Sequence, residues 1–349
     1  MSLDVAAYGM KDADSPVEPL TIPRRELRAD DVAIRIDYCG ICHSDLHFAR
    51  NDWGNAVYPA VPGHEIVGTV TDVGPEVTAH KVGDRVAVGC MVDSCQSCSQ
   101  CEDDHQEYCQ KRHTGTYGGR DRIDGSPTHG GYSDRIVVKD DFVLKVPEGL
   151  DPAKAGPLLC AGITMWSPLK HWNVGEGTKL GIVGMGGLGH MAVILGAALG
   201  AEVTVFTTSP EKVADAKELG AHHVVVSTDD DAMKAARGTL DIVIDSVPVS
   251  HDVHPYLRSI KPGGTLVIVG AIAPLKVHGG ILISGRYSLA GSAIGGLADT
   301  QELLDFCART DTHPLVEMVD VEDINTAWER MEAGDVKYRF VIDMASLRV

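Results

Sequence analysis

The hydrophobic pattern divides the chain into regions of different character. Between residues 20 and 147, apolar and polar positions alternate in short stretches such as 31–38 and 68–73, and turn sequences such as Gly83-Asp84 and Gly130-Gly131 separate them. Strict alternation predicts half-buried β-strands, because successive side chains of a strand point to opposite faces. We therefore predict an all-β region with long irregular loops.

After Pro152, continuous apolar runs alternate with helix-like stretches. We predict buried strands at 180–183, 201–206, 224–226, 241–245, 265–270 and 281–283, with helices at 190–199 and 210–219 between them. Strands that alternate with helices predict an α/β domain that is doubly wound around a parallel sheet.

The remaining residues return to the first region. Helices at 300–308 and 324–332 and a strand at 338–342 follow the α/β part, and we assign them to the β-rich domain. A chain of 349 residues exceeds the size of one ordinary core. The predicted domains are residues 1–153 together with 292–349, and residues 154–291.

Charge and hydropathy exclude two classes of partner. The chain carries 31 Lys and Arg against 49 Asp and Glu, a net charge of −18, which opposes binding to nucleic acid phosphates. No apolar stretch approaches the ~18 residues of a spanning helix, and the first residues lack the apolar core of a signal peptide. We expect a cytoplasmic protein with no nucleic acid or membrane partner.

Four of the nine cysteines form a tight cluster. Cys95, Cys98, Cys101 and Cys109 lie in one long loop. Such spacings let a single loop wrap a zinc ion with four thiolates, a closed shell typical of structural sites. Disulfides or free surface thiols are the alternatives, and they are less expected in a cytoplasmic chain.

Other metal-binding residue types are scattered. Cys42, Ser44 and His47 share one loop, the pair His64-Glu65 lies in another, and Cys160 stands alone. Each piece by itself is more often a packing or surface residue. Together they supply what a catalytic zinc requires, about three protein ligands and an exchangeable position.

A glycine-rich turn follows the first apolar strand of the α/β region. The segment Gly184-Met185-Gly186-Gly187-Leu188-Gly189 opens a predicted helix, which is the setting of a dinucleotide fingerprint rather than of an ordinary turn. After the next strand, Thr207, Thr208, Ser209 and Lys212 offer hydroxyls and a positive charge. No acid occupies the position that binds an NAD ribose, so we predict NADP(H), although Glu211 argues the other way.

Several motifs in order resemble the zinc-containing medium-chain alcohol dehydrogenases, most closely their cinnamyl alcohol dehydrogenase-like branch. The matching stretches are residues 39–47, 51–54, 62–65, the four-cysteine loop, 160–164 and 291–295, which span nearly the whole chain. The resemblance implies a GroES-like β-rich catalytic domain carrying both zinc sites and a Rossmann cofactor domain.

The resemblance also implies roles for particular residues. Cys42, His64 and Cys160 would bind the catalytic zinc, with Glu65 nearby and Asp45 orienting His64. Ser44 and His47 would relay a proton to the surface. Further cofactor contacts would come from Thr164, Ser246, Gly270, Ala293 and Ile294, and Trp53 and Cys90 would line the substrate pocket. Lys337 and Arg339 are interpreted as charges on a strand surface, with an approach to the cofactor pyrophosphate as the alternative.

These observations predict a dehydrogenase with two zinc ions per chain, one catalytic and one structural. It would transfer a hydride between NADP(H) and primary alcohols or aldehydes of broad range, including aromatic ones. The alternatives are an NAD(H)-dependent polyol or secondary-alcohol dehydrogenase and a non-catalytic zinc-thiolate redox sensor. Because the predicted strand 281–283 would leave an open sheet edge, we expect a homodimer or homotetramer.

Overall fold

The computed structural model of the chain describes residues 3–270 and 274–348. It separates into two compact units, Met1–Cys160 with Gly295–Val349, and Ala161–Ile294. Across the described ranges, none of the helices has the length and apolar character needed to cross a bilayer.

The N-terminal part of the first unit is built mainly from strands. Its strands are β1 (Leu3–Gly9), β2 (Glu18–Arg24), β3 (Asp31–Gly40), β4 (Ile66–Val73), β5 (Arg85–Val88), β6 (Met91–Asp93), β7 (Thr114–Gly115), β8 (Arg135–Lys139) and β9 (Leu144–Lys145). Short helices lie between them, α1 (His43–Ala49), α2 (Ser99–Glu102) and α3 (Pro152–Ala155). The predicted all-β character of this region is confirmed.

The second unit is an α/β layer structure. Its strands are β10 (Lys179–Val183), β11 (Glu202–Thr207), β12 (His223–Val226), β13 (Leu240–Asp245), β14 (Ile260–Ile268) and β15 (Ser288–Gly291). Its helices are α4 (Ala161–His171), α5 (Gly187–Ala198), α6 (Val213–Glu218), α7 (Asp230–Ala235), α8 (His254–Ser259) and α9 (Gly279–Gly285). All six strands are parallel in the order β12-β11-β10-β13-β14-β15, as a doubly wound sheet requires.

The strand predicted at 281–283 is wrong. These residues lie in helix α9, whose N-terminus is capped by the His278 side chain accepting from the Gly280 N–H, and the last strand of the sheet is β15. A short apolar run does not distinguish a strand from a helix by periodicity, and here the local cap favours the helix.

The C-terminal segment completes the sheet of the first unit. It contains α10 (Leu297–Thr310), β16 (Val316–Asp320), α11 (Ile324–Glu332) and β17 (Arg339–Asp343). Strand β17 pairs antiparallel with β3, bringing Val341 opposite Gly40 and Ile342 opposite Cys39. The resulting sheet has the order β16-β17-β3-β4-β5-β9, with β8 also paired to β3. The last strand therefore lies beside the segment that leads into Cys42.

Candidate functional site

One acidic side chain fixes the turn that carries Cys42. Asp45, fully buried in the first turn of α1, accepts hydrogen bonds from the backbone N–H of Cys42 at 2.8 Å and from that of Gly63 at 3.0 Å. An acid at this position satisfies N–H groups that a helix leaves unpaired at its start. The same carboxylate therefore ties the loop before α1 to the loop that carries His64.

Four predicted ligands meet in the first unit. The ligand atoms of Cys42, His64, Glu65 and Cys160 all lie within 4.8 Å of one another, and the two sulfurs are 3.8 Å apart. Nε2 of His64 and Oε2 of Glu65 are buried without a hydrogen-bond partner. A tetrahedral zinc shell spaces its ligand atoms about 3.4–3.8 Å apart. Two thiols and an imidazole whose buried Nε2 is unpaired fit a zinc ion at this cluster.

The two thiols of this cluster are not equivalent. The contact with the Cys160 sulfur holds the pKa of Cys42 well below its usual range, against the opposing effect of burial. Because a metal binds the thiolate rather than the thiol, Cys42 is prepared for coordination.

Glu65 has a partner that the sequence analysis did not identify. Its Oε1 pairs with Nη2 of Arg339 on β17, and both side chains are buried. Burial raises the pKa of Glu65 to about 7, and the Arg339 charge opposes that rise. The interpretation of Arg339 as a strand-surface charge is therefore wrong. Its only sequence signal was a single arginine in an otherwise apolar strand.

The expected contact between Asp45 and His64 takes a different form. Nδ1 of His64 lies 3.6 Å from Asp45, too far for a hydrogen bond, but 2.8 Å from the hydroxyl of Tyr117. Asp45 therefore acts on His64 through its charge at this distance, and the hydrogen-bonding position at Nδ1 belongs to Tyr117. An isolated tyrosine in a long loop gave no signal for this contact.

The predicted relay and pocket residues lie along α1 and near Cys160. His47 is in the last turn of α1, and its Nδ1 is 2.7 Å from Asp52. The Trp53 ring is 5.8 Å from the His47 ring and 41% exposed. Ser44 is partly exposed in the first turn. The Cys90 sulfur lies 3.7 Å from the carbonyl of Leu159, the residue before Cys160.

The four-cysteine loop forms a second cluster. The sulfurs of Cys95, Cys98, Cys101 and Cys109 lie within 4.8 Å of one another, and all of them are free thiols. Backbone N–H groups point at them, since Cys95 donates to the Cys109 sulfur at 3.4 Å and Gln110 to the Cys98 sulfur at 3.5 Å. The four sulfurs are grouped together, but none lies at disulfide-bond distance from another. This arrangement fits a closed zinc site.

The glycine-rich turn has the backbone of a dinucleotide site. Gly184 has φ +95°, a conformation that favours glycine, and a Cβ on Gly189 would lie 2.1 Å from the Gly184 carbonyl oxygen. A Cβ on Gly186 would meet open space, so this face is free for a ligand. Helix α5 begins directly after it at Gly187, and its N-terminal N–H groups favour a phosphate.

The other predicted cofactor residues of the second unit surround this turn. Lys212 places its Nζ 3.3 Å from the Met185 carbonyl, and Ser246 donates to the Val183 carbonyl at 2.7 Å. A Cβ on Gly270 would lie 2.3 Å from the Ser246 carbonyl. Thr207 ends β11 and accepts from the Ser209 N–H at 3.1 Å. The remaining members of the set are Thr208, which is exposed, Thr164 in α4, and Ala293 and Ile294 after β15.

Comparison with known proteins identifies the family. The model of the "Alcohol dehydrogenase GroES-like domain" matches residues 28–148, and that of the "Zinc-binding dehydrogenase" matches residues 187–309. The chain is 48% identical over 346 residues to NADP-dependent alcohol dehydrogenase C 1 of Mycolicibacterium smegmatis, covering 99% of each. The chain therefore belongs to the zinc-containing medium-chain alcohol dehydrogenases, as the motifs predicted.

Solved structures agree with this assignment. A cinnamyl alcohol dehydrogenase from Sorghum bicolor superposes with a TM-score of 0.95 at 45% identity, covering 98% of each chain. The CAD from Helicobacter pylori complexed with NADP(H) gives a TM-score of 0.93 at 38% identity, covering 99% of each chain. The predicted fold class, a GroES-like domain with a Rossmann domain, is confirmed.

Proposed function

We propose that this enzyme transfers a hydride between NADP(H) and primary alcohols or aldehydes of broad range, including aromatic ones. The observation that carries the proposal is the buried cluster of Cys42, His64, Glu65 and Cys160, in which the His64 Nε2 has no hydrogen-bond partner. A zinc ion held there would act as a Lewis acid toward the oxygen of the alcohol or aldehyde.

The chain's own residues would move the proton. Ser44 follows Cys42 by two positions, so its hydroxyl is suited to exchange a proton with the substrate oxygen. His47 lies one helical turn further on at the protein surface, where Asp52 fixes its ring. An imidazole can both accept and donate a proton, which suits the last step of a proton relay to water. Trp53 and Cys90 would line the substrate pocket.

Support for NADP(H) comes from the end of β11. Thr207, Thr208 and Ser209 provide hydroxyls without an acid that would repel a 2′-phosphate, and Lys212 brings a positive charge to the glycine-rich turn. Relatives described as NADP-dependent, or solved with NADP(H), point the same way. Thr164, Ser246, Gly270, Ala293 and Ile294 would complete the cofactor site.

The four-cysteine loop would hold the structural zinc. The proposed catalytic domain, residues 1–153 and 292–349, holds every zinc ligand except Cys160, which lies in the same compact unit, and residues 154–291 would bind the cofactor. Unpaired thiols at all nine cysteines fit a reducing compartment, which supports a cytoplasmic location. A homodimer or homotetramer would cover the edge strand β15, where Leu289 is exposed.

Initial rates test the proposal. A panel of cinnamaldehyde, benzaldehyde, short aliphatic aldehydes and fructose is assayed with NADPH and with NADH, before and after removal of zinc by a chelator. We expect zinc-dependent oxidation of NADPH, well ahead of NADH, with the aldehydes. A preference for NADH and fructose would favour the polyol dehydrogenase instead, and no turnover despite bound zinc would favour the redox sensor.

A further inference from the structure

The hydroxyl of Tyr117 lies between an acid and an imidazole. It is 2.8 Å from Nδ1 of His64, and the charge of Asp45 acts on it from nearby. Asp45 itself stands 3.6 Å from the same nitrogen, beyond hydrogen-bond distance. Tyr117 is therefore the hydrogen-bond partner of the His64 Nδ1.

The chemistry of the cluster fixes the direction of this hydrogen bond. Nε2 of His64 is buried without a hydrogen-bond partner, so it is the nitrogen that would offer its lone pair to the zinc. Nδ1 of His64 then carries the ring proton and donates it to the Tyr117 oxygen.

The fold holds the Tyr117 ring in place from several sides. The ring lies 4.7 Å from that of Phe48 on α1 and stacks at 25° on the His64 imidazole. The next residue, Gly118, has φ +65°, and a Cβ there would come 2.6 Å from the Phe48 ring. On the other side, Thr116 donates its N–H to the Cys90 carbonyl at 3.1 Å. Because the Tyr117 side chain is constrained in this way, it can hold the His64 ring in one orientation.

We propose that Tyr117 is a positioning residue, which fixes the tautomer and ring orientation of His64. The inference rests on the proposed function, because it concerns the same metal cluster. Tyr117 touches neither the substrate nor the metal in this role. Removal of a hydrogen-bond partner of a metal-binding histidine typically lowers metal affinity or activity by about tenfold to a hundredfold.

The test is the rate at which the zinc-loaded enzyme loses zinc to a colorimetric chelator, compared between wild type and Tyr117→Phe. Phenylalanine keeps the ring and its packing and removes only the hydroxyl. Tyr132→Phe is the matched control, since it removes a hydroxyl that donates to Asp45 without touching His64. The absorption band of Co²⁺ placed in the cluster gives a second readout.

We expect Tyr117→Phe to release one of two zinc ions about tenfold or more faster and to shift the Co²⁺ band, with Tyr132→Phe showing less than a third of either effect. Equal release from both tyrosine variants, or release at the wild-type rate with an unshifted band, would overturn the role of Tyr117. If Tyr117→Phe does not fold, the ¹⁵N spectrum of the His64 ring in the zinc-loaded wild type decides, since an Nδ1 without its proton contradicts the proposal. A wild-type enzyme with a single zinc would instead contradict the proposed function.

Discussion

Arg339 and Glu65 form a buried ion pair although they are 274 positions apart in the chain. Pairing of β17 with β3 brings the arginine to the cluster of candidate zinc ligands, where the glutamate follows His64. Gly40 permits the approach, because a Cβ there would lie 2.0 Å from Oε2 of Glu65. The C-terminal strand thus supplies the positive charge that opposes the rise in the pKa of Glu65 caused by burial.

Removal of this charge should be costly. Arg339→Met leaves the Glu65 carboxylate buried without its partner, so we expect a loss of about 3–5 kcal/mol in the free energy of unfolding. Denaturation with urea measures it. The control is Arg50→Met, which breaks an ion pair with Glu332 whose side chains are 39% and 42% exposed and should cost less than about 1 kcal/mol. Equal losses in the two variants would show that burial of the Arg339 pair is unimportant.

Lys212 should decide between the two cofactors. Lys212→Ala removes the charge beside Met185 but leaves the glycine-rich turn intact. We expect KM for NADPH to rise about tenfold, in line with the loss of one charge-assisted hydrogen bond, and KM for NADH to change little. Lys217→Ala, on the exposed side of α6, is the control and should leave both values unchanged. A parallel rise for both cofactors would place Lys212 away from the 2′-phosphate.

The four-cysteine loop should contribute stability rather than chemistry. Cys98→Ser removes one thiolate from a closed shell, and we expect zinc content to fall from two ions per chain to one, with a loss of several kcal/mol in stability. Aldehyde reduction per remaining folded molecule should persist. The buried Cys307→Ala, outside both clusters, should retain two zinc ions. Full zinc content in Cys98→Ser would contradict a four-thiolate site.

His129 should make the fold sensitive to acid. Burial, assisted by the neighbouring Arg24 charge, lowers the pKa of His129 to about 4. The unfolded chain, with an ordinary histidine pKa of ~6.5, therefore binds more protons between these values. The stabilisation that His129 contributes is fully present above about pH 6.5 and is lost as the pH drops toward 4. The loss from this residue amounts to about 2.5 kcal/mol at pH 4.5.

His129→Gln should remove that dependence. The difference in unfolding free energy between pH 7.5 and 4.5 is expected to shrink by about 2.5 kcal/mol relative to wild type. His171→Gln, at an exposed histidine, should leave the difference as it is. Identical pH profiles for His129→Gln and wild type would mean that this histidine titrates alike in the folded and unfolded chain.

Local motifs predicted most of the site, whereas contacts between distant segments escaped prediction. The candidate ligands Cys42 and His64, the four-cysteine loop and the turn at Gly184 each lie in short patterns with their own chemistry. Arg339 and Tyr117 act only because strand pairing and loop packing bring them to Glu65 and His64. Neither contact has a sequence spacing that marks it.

The misassigned segment 281–283 has a different cause. Its apolar run satisfies both a buried strand and a short helix, and the deciding interaction is the His278 side chain at the start of α9. The true edge strand, β15, is only partly apolar and mostly exposed, so it offered a weaker pattern than its neighbour. A sequence pattern reveals a strand through its buried apolar positions, and an edge strand has few of them.

The most direct test of the central claim compares wild type with His64→Ala. Zinc per folded chain and the rate of NADPH oxidation with cinnamaldehyde are measured on the same samples. The proposed catalytic site predicts two zinc ions and turnover in wild type. In His64→Ala it predicts one zinc ion and turnover reduced by about a hundredfold or more, because an essential ligand is lost. Two zinc ions and near wild-type turnover in His64→Ala would contradict it.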